Sequence, residues 1–415
     1  MAQLSDDCFA FGGALLPLEE ARRLIVERVK VVADVEKVAL IQADGRTLAE
    51  AVAAPRDVPG FTNSAVDGYA VRFDDLSPDA ETRLVRGGRI AAGQTPADPL
   101  AVGRAARIFT GAAMPVGADT VIMQEDCQED GDMVLIRPGI RLGANRRLAG
   151  EDIAAGSVAL AAGRRLGPAE LGLLAALGQS VVPVRQRLSV ALFSTGDELR
   201  EPGQSLATGQ IYDANRFMLA SMLVRAGVVV SDCGILPDRP GALAEALVEA
   251  AARHDLIVTS GGVSTGEEDH VRDVITSHGS LFFWRLAIKP GRPVALGQIG
   301  GTPLIGLPGN PVAALVTFVA VARPLIEAMT GMLPRVPHRF PMVSGFSYRK
   351  KAGRREYVRV SVEAGDVGRL RRFPKEGAGM LTSLTETDGF AELPESMTQL
   401  EPGMVVDFIS YGEML

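Results

Sequence analysis

Residues 255–270 read DLIVTSGGVSTGEEDH, and this segment decides the expected fold. Its first six residues include a short apolar run, which is typical of a strand buried on both faces of a sheet. Gly261 and Gly262 then allow the backbone to turn and to approach a ligand closely, and a helix is expected to start near Asp269. A buried strand that passes through a glycine turn into a helix is typical of an α/β sheet.

Three more segments carry glycine or proline loops of the same kind: SVALFSTGDEL (189–199), LAIKPGRP (286–293) and PLIGLPGNPVAALVTF (303–318). Strands and helices therefore alternate, which predicts an α/β domain over residues 187–330. In such an open sheet the loops meet at the carboxyl ends of the strands, where ligands bind. Helices are expected to start near Asp213–Asn215, Pro240, Asp269 and Pro311, with Asn215 and Asn310 interpreted as helix caps.

The side chains on these loops suit a phosphorylated anion held together with a divalent cation. A helix N-terminus offers free N–H groups to an anion, and Mg²⁺ takes carboxylate and phosphate oxygens together. Two plainer interpretations stay open: Glu267, Glu268 and Asp269 could serve only as helix caps, and LPGNP only as a well-formed helix start. The candidate binding residues are Ser194, Thr195, Gly196, Glu198, Gly261, Gly262, Ser264, Gly266, Asp269, Lys289, Arg292, Pro308, Gly309 and Pro311.

Composition favours a cytoplasmic enzyme and argues against several other classes. The chain has 415 residues and a formal net charge of −7, without the basic stripe expected of a nucleic-acid-binding protein. The first residues lack the basic region of a secretory signal. Arg323 and Pro324 interrupt the most apolar run, so no membrane span is expected. Cys8, Cys127 and Cys233 lack the spacing of a disulfide framework or a zinc site.

The motifs of the α/β region, in their order and spacing, resemble those of the molybdenum insertases. These are the MoeA-type molybdopterin molybdenumtransferases, to which the E domain of gephyrin is related. Three further segments are similar to the same family: DVPGFTNSAVDGYAV (57–71), IFTGAAMPVGADTVIMQED (108–126) and RRLAGEDI (146–153). The resemblance covers nearly the whole chain.

The resemblance implies a multidomain architecture of α/β and β parts. An elongated helical domain (1–54 plus 150–186) would carry an inserted β-rich domain (55–149). The α/β molybdopterin-binding domain (187–330) would then be followed by a small C-terminal β-barrel (331–415). The residues of this last region favour a barrel by themselves, because they are β-rich with glycine turns, and its basic run RKKAGRRE (349–356) is most simply a solvated hairpin edge. The amphipathic helix with Leu18, Leu24, Ile25 and Val29 on one stripe is expected in the elongated domain.

The resemblance also implies a reaction, in which molybdenum from molybdate enters adenylylated molybdopterin and AMP is released, with Mg²⁺ required. It implies a homodimer in which the inserted domain reaches the partner's cleft. Glu198 and Asp269 would bind Mg²⁺, Lys289 and Arg292 would supply cations, and Ser383 would lie near the substrate. The catalytic positions that match the family motifs are Asp67, Thr110, Asp152, Glu198 and Asp269.

Three residues depart from the family pattern. Arg292 stands where Lys is more usual, His270 where Tyr is common, and Asp388 in place of Asn. Two other functions stay open at this point. One is a molybdopterin adenylyltransferase, although the short enzymes of that class lack the N-terminal region and the barrel. The other is a non-catalytic molybdopterin-binding scaffold.

Overall fold

The computed structural model describes residues 15–237, 239–263, 270–365 and 368–414. Its centre is a six-stranded open sheet, and this confirms the predicted α/β layer. Four neighbouring strands run parallel, and the last two pair antiparallel at one edge. In spatial order the strands are Val229–Leu236, Ser189–Thr195, Leu256–Ser260, Thr302–Leu307, Pro293–Ile299 and Gly279–Arg285.

Helices cover both faces of this sheet, so its central strands are buried almost completely. Their apolar residues form two separate cores, one on each side. The helices of this domain are Asn215–Arg225, Pro240–Arg253, His270–His278, Pro311–Thr317 and Arg323–Met329, the last two joined by a π-helical turn at Phe318–Ala322.

The helical segment Pro311–Met329 continues through Arg323 and Pro324, where the sequence was expected to interrupt it. It is therefore long and apolar enough for a membrane span by length and composition. However, 83% of its most apolar window is buried inside the protein. Packing in the core of the α/β layer accounts for this composition.

The first described helix, Leu18–Arg28, packs against the same segment. Its buried stripe of Leu18, Leu24 and Ile25 agrees with the predicted periodicity. Its location differs from the expected one, because the stripe joins the core of the α/β layer instead of the elongated domain.

The elongated part is built from short antiparallel pairs that join the two flanks of the β-rich region. Val35–Ala39 pairs with Val181–Arg185, and Val52–Ala53 pairs with Val158–Leu160. Helix Pro168–Ala176 covers a small core of its own.

The β-rich region between these flanks forms a six-stranded sheet with two small cores. In spatial order its strands are Thr120–Met123, Gly68–Val71, Arg104–Ile108, Thr82–Ile90, Met133–Ile136 and Cys127–Asp130. Asn63–Ser64 and Arg146–Arg147 form a further pair beside it. Cys127 and Cys233 are free thiols, and Cys8 lies outside the described residues.

The C-terminal part is a closed five-stranded barrel, as predicted. The ring closes because Gly389–Leu393 pairs back onto Arg355–Glu363. The strands follow one another as Arg355–Glu363, Arg369–Arg372, Phe340–Ser344, Val405–Ser410 and Gly389–Leu393. The short strand Ile288–Lys289 of the α/β domain adds to this barrel in parallel with Arg355 and Glu356, so the two domains share a seam.

The remaining short elements lie in loops and at the end of the barrel. They are the 3-10 turns Leu40–Gln42, Phe73–Asp75 and Gln124–Asp126, the paired strands Leu199–Arg200 with Ile211–Tyr212 and Tyr348–Arg349 with Gln399–Leu400, and the helices Thr382–Thr385 and Tyr411–Met414.

Candidate active site

A cleft of about 620 Å³ lies at the carboxyl ends of the parallel strands. The loops after three neighbouring strands converge there, which is the arrangement expected of an open α/β sheet. The sequence-predicted residues that line it are Ser194, Thr195, Gly196, Glu198, Gly261, Gly262, Pro308, Gly309 and Pro311.

The glycine turn at the centre of this cleft has the backbone that its sequence requires. Gly261 has a φ of +92° and Gly262 a φ of +65°, a region that favours glycine. A Cβ atom on Gly261 would lie 2.4 Å from the carbonyl oxygen of Thr195, and one on Gly262 would lie 2.6 Å from Cγ2 of Val271. The turn can therefore pack against the neighbouring strand only without side chains.

Two hydroxyl groups at the end of strand Ser189–Thr195 are buried without a partner. Ser194 and Thr195 are 0% and 4% exposed, and their side-chain oxygens make no hydrogen bond within the described part of the chain. A buried hydroxyl without a partner costs stability. Both residues line the cleft.

Asn215 has a different role from the predicted helix cap. Ala214 occupies the N-cap position, and Asn215 is 8% exposed. Its side-chain Nδ2 donates to Oγ of Ser260 at 2.9 Å and to the carbonyl oxygen of Gly309 at 2.7 Å. The amide thereby ties together the loops that follow two neighbouring strands. A polar residue just before a helix does not distinguish these two roles in the sequence.

Asn310 occupies the N-cap position of helix Pro311–Thr317, as predicted, but its side chain makes no capping hydrogen bond. It lines both the cleft and a second cavity of about 320 Å³. Pro293 and Pro308 also line both spaces, so the two cavities adjoin.

The second cavity lies between the AIKPGRP loop and the C-terminal barrel, and cations dominate its polar lining. Two of them, Lys289 and Arg292, were predicted from the sequence. The other four were missed. Arg354 lies in a basic run that was interpreted as a solvated hairpin edge, and Arg359, Arg372 and Lys375 stand in no motif. The cations of this cationic cavity are Lys289, Arg292, Arg354, Arg359, Arg372 and Lys375.

Lys289 is held at the edge of the cationic cavity by two groups of the C-terminal part. Its Nζ donates to the hydroxyl of Tyr348 at 3.1 Å and pairs with Glu356 at 3.3 Å. Burial alone would lower the pKa of Lys289, but the hydrogen bond to Tyr348 and the charge of Glu356 raise it above its ordinary value. Lys289 is therefore a stable cation at neutral pH.

Ser383, which the resemblance placed near the substrate, lies behind one of these cations. It is fully buried, and its hydroxyl donates to the carbonyl oxygen of Met380 and accepts from Arg359 at 2.8 Å. Arg359 lines the cationic cavity and Ser383 does not. Ser383 would therefore act on a ligand through Arg359.

Asp67 and Thr110 form a pair on the surface of the β-rich region. One carboxylate oxygen of Asp67 accepts from the backbone N–H of Thr110 at 2.8 Å and from its hydroxyl at 2.7 Å. These two bonds lower the pKa of Asp67. Asp152 is exposed on the elongated part, where its backbone N–H donates to Val58. None of the three is among the described residues that line either cavity of its own chain.

Part of the predicted site lies outside the described residues, namely Ser264, Gly266 and Asp269, together with Thr265, Glu267 and Glu268. The described helix that follows begins at His270. Within residues 15–237, 239–263, 270–365 and 368–414, no group of three or more His, Cys, Asp or Glu side chains could hold a metal ion. Glu198 is an exposed carboxylate that lines the same cleft as Ser194 and Thr195.

Comparison with known families covers nearly all of the chain. Residues 16–178 match the MoeA N-terminal region (domains I and II), and residues 191–328 match a probable molybdopterin-binding domain. Residues 342–411 match the MoeA C-terminal region (domain IV).

Curated relatives and solved structures agree with these matches. The chain is 36% identical to a molybdopterin molybdenumtransferase of Haemophilus influenzae, over 97% of this chain and 100% of that protein. It is 37% identical to one of Nostoc, over 89% and 87%. A crystal structure of the molybdopterin biosynthesis moeA protein from Pyrococcus horikoshii has 29% identity and a TM-score of 0.81, covering 96% of this chain and all of that one.

Proposed function

The chain belongs to the MoeA family of molybdopterin molybdenumtransferases, and we propose that it inserts molybdenum from molybdate into adenylylated molybdopterin and releases AMP. It is thus a transferase of molybdenum cofactor biosynthesis. The observation that carries the proposal is the direct junction of two unlike cavities. One offers bare glycine backbone and two hydroxyls without a partner among the described residues, and the other offers six cations beside a single carboxylate, Glu376.

The two cavities suit the two substrates. The cleft would bind the adenylylated molybdopterin, because its glycine turn and hydroxyls are suited to phosphate oxygens. The cationic cavity would bind molybdate, because ammonium and guanidinium groups donate charge-assisted hydrogen bonds to oxyanions. Arg292 presents a planar fork at a position where the resemblance expects the compact charge of Lys, so it would contact the oxyanion differently.

The residues in the cleft also fit Mg²⁺. The carboxylate of Glu198 and the hydroxyl of Thr195, which has no partner among the described residues, are oxygen donors of the kind that Mg²⁺ prefers. Glu198 would hold the ion together with Asp269, and the bound ion would neutralise phosphate charge.

A shared site in a homodimer is the second part of the proposal. Asp67 and Thr110 would complete the partner's cleft, and their position on the β-rich region supports this, since they line neither cavity of their own chain. Asp152, on the elongated part, would face the same partner site. We expect this dimer to work in the cytoplasm.

The test is AMP release from adenylylated molybdopterin, measured by chromatography with molybdate or Mg²⁺ left out in turn. Release should require both, and sulfate in place of molybdate should not restore it. AMP release that proceeds equally without molybdate would overturn the assignment. Formation of adenylylated molybdopterin from molybdopterin and ATP would instead indicate an adenylyltransferase.

A further inference from the structure

Glu356 is a buried carboxylate directly behind the wall of the cationic cavity. It lies on strand Arg355–Glu363, and its side chain is 1% exposed. One carboxylate oxygen accepts from the hydroxyl of Tyr348 at 2.8 Å and pairs with Nζ of Lys289 at 3.3 Å. The other oxygen accepts from Nε of Arg354 at 2.7 Å. A carboxylate this deep needs such partners to remain charged.

The three partners of Glu356 all line the cationic cavity, whereas Glu356 itself does not. They come from three different segments. Lys289 belongs to the loop of the α/β domain, Tyr348 to a short strand, and Arg354 to the turn before the barrel strand. The parallel register of the seam sets Lys289 beside Glu356. Glu356 is thus the common anchor of three cavity-lining groups.

Glu356 is ionised at neutral pH in this setting. Burial alone would raise its pKa, but hydrogen bonds from Tyr348 and Arg354 and the charge of Lys289 hold the pKa below its ordinary value. The carboxylate therefore places a fixed negative charge behind two cations of the cavity.

We propose that Glu356 is a positioning residue of the oxyanion site. It holds Lys289 and Arg354 from behind and fixes the Tyr348 hydroxyl that accepts from Lys289, so that the two cations present ordered donors to molybdate. The inference rests on the proposed function of the cationic cavity. Without this anchor, the long side chain of Lys289 regains its rotamer freedom and must lose it again when the oxyanion binds.

The direction in which oxyanion binding changes when Glu356 is neutralised distinguishes a positioning residue from a simple counter-charge. A negative charge behind the cations reduces the positive potential of the cavity. If Glu356 acted only in this way, its neutralisation would strengthen oxyanion binding. Positioning predicts the opposite, because disordered donors bind an anion less well than ordered ones.

The experiment compares Glu356→Gln with the unaltered protein in two measurements. One is the molybdate concentration that gives half-maximal AMP release, and the other is molybdate binding by isothermal titration calorimetry. We expect both values to rise about tenfold, as for the loss of a buried partner of a charged group. The KM for adenylylated molybdopterin should stay within about twofold, because the cleft is untouched.

Glu392→Gln is a matched control on the neighbouring barrel strand. Glu392 is 6% exposed and pairs with Arg339 and Arg355, two arginines that do not line the cationic cavity. Its third partner, Tyr357, donates to it at 3.1 Å and does line the cavity, but it carries no charge there. The Glu392→Gln variant should lower the melting temperature as much as Glu356→Gln does. It should leave the half-saturating molybdate concentration unchanged.

Tyr348→Phe keeps the test decisive if Glu356→Gln does not fold. It removes the hydroxyl between Lys289 and Glu356 but keeps the ring on which Arg372 stacks at 4.9 Å. We expect the half-saturating molybdate concentration of Tyr348→Phe to rise about threefold. A lower half-saturating molybdate concentration in Glu356→Gln would show that Glu356 acts only as a counter-charge. An unchanged concentration would show that its role is only structural. AMP release from the unaltered protein that ignores molybdate would overturn the proposed function instead.

Discussion

Replacing Asn215 by Asp tests whether this residue bridges two loops or caps a helix. As a cap, Asp is about as good as Asn and adds a favourable charge near the helix N-terminus, so stability would be unchanged or slightly raised. As a bridge, Asp fails at one of its two contacts. The hydroxyl of Ser260 can rotate and donate to the new carboxylate, but the carbonyl oxygen of Gly309 has no donor left and faces a negative charge.

The expected cost follows from these two contacts. The lost bond to Gly309, 2.7 Å long in the structure, contributes about 0.5–1.5 kcal/mol. The new carboxylate lies at a position that is 8% exposed and faces a carbonyl oxygen, and its desolvation costs about 1–3 kcal/mol more. The bond to Ser260 is retained, and the helix dipole returns about 0.5 kcal/mol. We therefore expect Asn215→Asp to destabilise the α/β domain by about 2 kcal/mol.

Native-state hydrogen exchange read by mass spectrometry measures this cost locally, which matters because a multidomain chain need not unfold in one step. Peptides that cover strand Leu256–Ser260 should exchange about thirtyfold faster, since each 1.4 kcal/mol corresponds to a factor of ten. Asn310→Asp is the matched control, because Asn310 sits at an N-cap without a capping bond and should change exchange little. Exchange in Asn215→Asp within about twofold of the unaltered protein would refute the bridge.

Three further predictions concern the site and its assembly. Asp67→Asn and Glu198→Gln should each be weakly active, and mixing them under subunit exchange should restore activity; a mixture no more active than its parents would contradict the shared site. Lys289→Ala should raise the half-saturating molybdate concentration roughly ten- to a hundredfold, because a charged donor contributes about 1.5–3 kcal/mol; an unchanged value would remove Lys289 from the oxyanion site. Gly262→Ala should destabilise the domain by about 1–3 kcal/mol in denaturant unfolding, because its φ is +65° and the new Cβ atom would lie 2.6 Å from a valine methyl group. Gly88→Ala is the control and should be neutral, because no atom lies within 4 Å of the added Cβ atom.

The sequence predicted the elements whose cause is local. Three such elements are the apolar run of Leu256–Ser260, the glycine turn after it and the proline that starts helix Pro311–Thr317, and each can be recognised from a few neighbouring residues. The rule that strand ends converge then brought Ser194, Thr195 and Glu198 into one cleft. The barrel was also predicted, because alternating strands with glycine turns have a local signature.

What only the tertiary structure decided depends on contacts between distant segments. The first helix was expected in the elongated domain, but an apolar stripe does not specify which surface covers it, and it joins the α/β core. The sequence around Asn215 is the same for a helix cap and for a bridge between loops. Only its contact with Gly309, 94 positions away, identifies it as a bridge.

The cationic cavity is the clearest example of a feature that depends on contacts between distant segments. Charged residues of the barrel such as Arg354 and Arg359 resemble solvated surface in the sequence, and only the seam between Lys289 and Glu356 turns them toward a common space. Local patterns determined the strands, turns and helices of this protein. Long-range packing decided the partners of its buried charges. A charge that is removed from water needs a partner, and local sequence patterns do not specify which distant side chain will supply it.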